Sequence, residues 1–242
     1  QVELVKMLVS DRPELLRTAY ELGITAQFLP EFDELMKTEQ ETPHHMYNVG
    51  EHTLHAMQNI RSDKVLRLTM LFHDMGKPAL KTVDTEGVAH FKNHAFKSQE
   101  ITKTVLKRLK FDNDTLRKVS HLVYFHDYRM PAKEKNVRRA MAKIGTELFS
   151  PYLEVRQADT LAQSTYQREE KLENIQEITR LYEEITEAGQ CVSLGMLAVN
   201  GSDLIAAGMK PGKEIGKKLN EFLELVLEEP ELNTKEELLG RL

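Results

Sequence analysis

Apolar residues recur at three- and four-residue spacing through most of the chain, the signature of helices that bury one face. Val2, Val5, Leu8 and Val9 predict a short helix over residues 2–9. Ser10-Asp11-Arg12-Pro13-Glu14 then reads as a helix start, and Leu15, Leu16, Ala19 and Leu22 form its inner stripe before Gly23 stops it. Residues 24–36 read as helical with an interruption at Pro30, and residues 38–43 as a polar linker. A helix is expected over residues 49–60, and Ser62-Asp63 caps another that ends at Phe72. Residues 81–91 lose the helical period. Asp84-Thr85-Glu86-Gly87 is turn chemistry, so one small β-hairpin is expected there.

Helical spacing then resumes. Asn93 is placed to cap a helix to Leu109, and Asp112 or Asp114 to open one ending near His126. A further helix covers residues 136–144, and Pro151 is expected to open the next. A long charged helix spans residues 168–188, with Gly189 as its stop, and Pro211-Gly212 opens an amphipathic one carrying Ile215, Leu219, Phe222, Leu223, Val226 and Leu227. The pattern predicts an all-α protein with at most one hairpin.

Composition narrows the class. The chain has 242 residues, 40% hydrophobic and 29% charged, with a net charge of −5, so any nucleic-acid contact must come from a local patch. A single cysteine, Cys191, precludes an internal disulfide and suits a reducing cytoplasm. No apolar run reaches membrane-spanning length. The first residue is Gln1 rather than Met, which reads as a piece of something longer.

The candidate chemistry centres on His73-Asp74, at the end of the apolar run from Leu66 to Phe72 and followed by Met75-Gly76-Lys77. His52 lies upstream and Asp159 downstream, each on its own apolar helical segment. Imidazole and carboxylate together suit Mg, Mn, Ni, Co, Fe or Zn. The plainer alternative makes His73-Asp74 a helix-end cap and His52 a surface histidine. Gly76 is expected to permit a sharp turn and Lys77 to place a cation beside the site, where it would meet a substrate phosphate.

The H…HD…D series followed by Gly-Lys resembles the HD metal-dependent phosphohydrolases, which implies His52, His73, Asp74 and Asp159 as metal ligands. The resemblance narrows further. Leu29-Pro30-Glu31-Phe32, the segment from Tyr47 to Thr53, Leu71-Phe72-His73-Asp74, Ala158-Asp159-Thr160-Leu161-Ala162 and the segment from Val199 to Ile205 are similar to the neck, HD and tail regions of bacterial CCA-adding enzymes, tRNA nucleotidyltransferases of the poly(A) polymerase family. That likeness implies an HD-domain helical bundle over residues 45–165, a neck-like segment and linker over 1–44, and a helical tail over 166–242. It also implies a second metal or a bound phosphate at His94 and His126, with Asp74 as the bridging carboxylate, and tRNA as a partner. No Gly-Ser or Gly-Gly turn followed by paired carboxylates on a strand is present, so the nucleotidyltransferase head is expected in cis outside this chain, and nucleotide addition is not expected of the chain alone.

A bound divalent ion lowers the pKa of its water and draws charge from a phosphoryl oxygen. The expected reaction is therefore hydrolysis of a phosphomonoester, a 2′,3′-cyclic phosphodiester or a nucleotide. The alternatives are a tRNA-gripping body without catalysis and a free-standing nucleotidase. Arg129 is a candidate phosphate ligand, against the plainer reading of an ion pair with Asp127. Arg138, Arg139 and Lys143 form a cationic stripe that a tRNA backbone would promote from a solvated face to a contact. His44 and His45 are expected in solvent, His55 in packing, His90 at the cleft border, and His121 in a structural role.

Overall fold

The computed structural model describes residues 1–42, 44 and 46–242. Pro43 and His45 lie outside the described residues, and with them the expectation for His45. The architecture is all-α with one two-stranded antiparallel sheet, in which Thr82 pairs with His90 and Val83 with Ala89. The chain divides into two compact units. The first comprises residues 1–129 and 150–175, the second residues 130–149 and 176–242. The two units interleave along the sequence.

The first unit opens with α1 (Val2–Leu8), α2 (Leu15–Glu21), α3 (Thr25–Phe28) and α4 (Pro30–Met36). Pro30 sits in the first turn of α4, where its missing N–H costs nothing, so the expected interruption is a helix start. Next come α5 (Val49–Gln58), α6 (Lys64–Phe72), the single turn α7 (Lys77–Leu80) and the sheet, followed by α8 (His94–Arg108) and α9 (Asn113–Phe125). Asp63 and Asp112 cap as the sequence nominates, accepting from Val65 and Leu66 and from Thr115. Asn48, which the sequence reading did not single out, accepts from the Glu51 amide. Asn93 departs from expectation. It adopts a left-handed conformation (φ 63°) and makes no side-chain cap.

Helices α10 (Glu134–Ile144), α11 (Thr146–Ala162) and α12 (Arg168–Glu187) follow. Pro151 was expected to open a helix but lies inside α11. Leu148 and Phe149 before it and Tyr152 and Leu153 after it are all buried, and that burial carries the helix through a residue which removes one backbone hydrogen bond. The second unit is completed by α13 (Gly201–Ala206), α14 (Lys213–Glu228) and α15 (Lys235–Leu239). Its small core joins Cys191, Val199, Leu204, Phe222, Val226 and Leu238. No helix among the described residues is long and apolar enough to cross a membrane.

In the first unit, α6 is the central helix. Residues 66–72 are all buried, and α6 packs on α5, α8 and α9. Such burial contributes on the order of 1.5–3 kcal/mol for each large apolar side chain. It fixes where the C-terminus of α6 points, and that end carries the chemistry.

Candidate metal centre

His73 is the C-cap of α6, and His126 is the C-cap of α9. A helix end leaves carbonyls without partners. Each histidine satisfies the one three residues back: His73 Nδ1 lies 2.6 Å from the Met70 carbonyl and His126 Nδ1 lies 2.7 Å from that of Val123. His94, at the start of α8, repeats the arrangement with the Phe91 carbonyl at 2.9 Å. His52 Nδ1 faces the Ala162 carbonyl at 3.4 Å. A carbonyl only accepts, so the proton sits on Nδ1 and Nε2 turns inward.

The four inward nitrogens meet in pairs. His52 Nε2 and His73 Nε2 are 3.3 Å apart, and His94 Nε2 and His126 Nε2 are 3.1 Å apart. Two imidazole lone pairs at that distance repel unless a proton or a cation lies between them. Asp74 stands between the pairs. Its Oδ2 is 3.2 Å from His73 Nε2 and 3.7 Å from His52 Nε2, and its Oδ1 is 3.4 Å from His94 and 3.6 Å from His126. Asp159 Oδ1 closes the first group at 2.9 Å from His52 Nε2 and 3.8 Å from His73 Nε2. His52, His73 and Asp74 can surround one ion, and Asp74, His94 and His126 another. The fold thus brings all six candidate ligands to one place.

The donor set fits divalent cations. It holds nitrogen and oxygen ligands only, and each ring is oriented by a backbone acceptor. Asp74 Oδ2 is fully buried with no aligned hydrogen-bond donor. Two helix C-termini, with their partial negative charge, end at the site. Burial alone would raise the Asp74 pKa; the neighbouring charges of His73 and Lys77 outweigh it and hold the carboxyl well below its usual range. Asp159 is likewise held down, against its burial, by His52 and His73. Burial lowers the His94 pKa to about 4, with Asp74 opposing and His126 and Lys77 assisting, so this ring is neutral and ready to ligate at neutral pH.

The centre opens onto a cleft of about 350 Å³ lined by residues that include Lys77, His90, Phe91, Lys92, Asp127 and Arg129. Lys77 is buried. Its ammonium lies 2.7 Å from Asp74 Oδ2, donates to Gln40 Oε1 at 2.7 Å and sits over the Phe91 ring. It therefore acts first as the charge partner of Asp74, not as a free phosphate ligand. Arg129 is exposed on the rim and paired with Asp127 at 2.9 Å. Gly76 has an ordinary helical φ of −81°, so it makes no special turn. Its role is proximity: a Cβ there would lie 2.5 Å from the His94 carbonyl oxygen and 2.7 Å from the Ser98 amide.

The remaining candidates are dispersed. Arg138, expected to meet RNA, is buried. It donates to the carbonyls of Leu227 and Glu228 and to Gln190, where it satisfies the end of α14. Arg139 is paired with Glu228 at 2.9 Å, and Lys143 is exposed on the same helix. His44 is half-buried rather than solvated, with Lys171 Nζ 3.2 Å from its Nδ1. His55 stacks on Tyr47, His121 packs against Phe125, and His90 pairs with Asp84. Sequence reasoning missed Gln40 and Gln163. Only the position of Gln163, one helical turn after Asp159, gave any signal.

A family model described as tRNA nucleotidyltransferase domain 2, putative, matches residues 84–242. The chain belongs to the tRNA nucleotidyltransferase family. Among the curated relatives of this family member is the CC-adding tRNA nucleotidyltransferase of Thermus thermophilus, 31% identical over an alignment 243 residues long that covers 97% of this chain and 54% of that protein. The A-adding tRNA nucleotidyltransferase of Deinococcus radiodurans is 32% identical over 124 residues, 49% of this chain and 28% of that protein. The chain thus spans about half the length of the Thermus relative.

Proposed function

We propose that this chain is the neck, HD-type body and tail (1–44, 45–165 and 166–242) of a tRNA nucleotidyltransferase, and that its body is a metal-dependent phosphohydrolase acting on phosphate ends. The observation that carries this reading is the pair of facing imidazole couples around Asp74, each anchored through Nδ1 and each in need of a cation. Bound divalent ions would supply a nucleophilic water and a Lewis acid for the phosphoryl group. His52, His73, Asp74 and Asp159 would hold one ion, and Asp74, His94 and His126 a second.

The other residues prepare the cleft. Lys77 neutralises Asp74 when no metal is bound. Arg129, on the rim, exchanges Asp127 for a substrate phosphate at small cost, because an exposed ion pair is worth at most about 1 kcal/mol. The substrates are a phosphomonoester, a 2′,3′-cyclic phosphodiester or a nucleotide, and tRNA is the macromolecular partner.

The test assays a generic phosphomonoester and a 2′,3′-cyclic nucleotide with Mn, Ni, Co and Mg, beside Asp74→Ala. Metal-dependent turnover that Asp74→Ala abolishes is expected. Turnover no greater than that of the variant with every ion overturns the reading. The second reading, a body that only grips tRNA, is favoured by the relatives' names, which describe nucleotide addition. It predicts tRNA binding with no hydrolysis.

A further inference from the structure

Asp159 stands one turn from the end of α11 and is less buried than the other five ligand candidates except His94. One of its oxygens, Oδ1, faces the histidines. The other, Oδ2, accepts a hydrogen bond from Gln163 Nε2 at 3.2 Å. Gln163 is buried, and its Oε1 accepts from Lys171 Nζ at 2.8 Å. Lys171 lies in the first turn of α12 and also reaches His44 Nδ1 at 3.2 Å. His44 is itself held in place: its carbonyl accepts from the Ser164 amide at 2.8 Å, and its ring meets Tyr166 edge-on at 4.9 Å.

The chemistry of this chain has one direction. An ammonium can only donate, and a carboxylate can only accept. A glutamine between them satisfies both in a single orientation, oxygen toward Lys171 and nitrogen toward Asp159. With Lys171 gone, only the contact with Asp159 itself orients the amide, and its oxygen is left without the donor that holds it. A carboxylate with one oxygen held by a fixed donor presents the other to an ion in one position.

We propose that Gln163 and Lys171 are positioning residues for the metal held by Asp159: Lys171 fixes the Gln163 amide, and the amide fixes Asp159 so that Oδ1 faces the ion shared with His52 and His73. The inference rests on the metal reading of the cluster. Gln163 and Lys171 act through Asp159 and bind no ion. Partners behind a ligating carboxylate typically contribute about 10–100-fold to metal affinity.

The experiment is a Mn²⁺ titration of the metal-stripped full chain by calorimetry, with thermal melts of each metal-free variant. Gln163→Leu is expected to weaken Mn²⁺ binding about tenfold, at the low end of that range. Lys171→Met is expected to weaken it in the same direction, and Lys171→Arg, which keeps a cationic donor, to restore it. The binding step lost in His126→Ala belongs to the other ion and should be unchanged in Gln163→Leu. Wild-type affinity in both Gln163→Leu and Lys171→Met overturns the inference, as does an equal loss in Lys171→Arg and Lys171→Met. Should Gln163→Leu fail to fold, the two lysine variants decide. Failure of the wild-type chain to bind Mn²⁺ overturns the metal reading itself, and the wild-type titration alone reveals it.

Discussion

Lys77→Met separates a structural from a substrate-binding role for the lysine beside the centre. In the structure its ammonium is 2.7 Å from Asp74 Oδ2, and both groups are buried. At an effective dielectric of about 20, two unit charges at that distance attract by roughly 6 kcal/mol. Removing the lysine also relieves the cost of burying it, and breaking a buried pair nets about 3–5 kcal/mol of destabilisation. We therefore expect Lys77→Met to lower the unfolding free energy of the metal-free chain by about 3 kcal/mol, the low end because Met fills much of the lysine volume. The assay is urea denaturation in EDTA near pH 7.5. On the metal reading proposed above, a bound divalent ion would neutralise Asp74 in the lysine's place, so the deficit should shrink when saturating Mn²⁺ replaces EDTA. Linkage then requires the variant to bind Mn²⁺ more tightly than wild type. A residue that served only substrate phosphate would leave stability unchanged and raise KM. A loss below about 1 kcal/mol in EDTA, less than a third of the buried-pair figure, would refute the charge-partner role.

Three further outcomes are expected. The metal-free chain should lose stability as pH falls: the folded pKa of His94, about 4, lies below the unfolded value near 6.5, so its contribution is complete above pH 6.5 and lost on the way to pH 4, up to about 3 kcal/mol. The depressed Asp74 and Asp159 add a further loss below about pH 4, and a urea midpoint in EDTA that stays level from pH 7 to 4.5 contradicts the assignment. Gly76→Ala drives a methyl group into the backbone of α8, so it should cost about 1–3 kcal/mol and weaken metal binding by shifting His94; calorimetry and denaturation on the same protein check both. Arg138→Ala strips donors from the buried Leu227 carbonyl and the partly buried Glu228 carbonyl, so it should lower stability by about 1–3 kcal/mol. A stable Arg138→Ala chain with weakened tRNA binding would restore the RNA-contact reading.

The sequence by itself determined the all-α class, the hairpin and two of the caps, because period and capping are local: Asp63 and Asp112 each act within three residues of their own helix start. It also nominated the six histidines and carboxylates of the centre: His52, the His73-Asp74 doublet and Asp159 from their places on apolar segments, and His94 and His126 only through the family resemblance. Tertiary structure decided what those residues do. Whether Nε2 or Nδ1 faces inward depends on which carbonyl the fold brings to the other nitrogen. Lys77 and Arg138 looked like available cations in the sequence. Packing buried both, one against a carboxylate and one against a helix end, because a long charged side chain takes its role from the acceptors that surround it. Gln163 carries no charge and sits in no motif, so only the distances to Asp159 and Lys171 reveal it. Local pattern sets which elements form. Orientation, charge compensation and the aim of each ligand arise between elements distant in sequence, and only their packing specifies them.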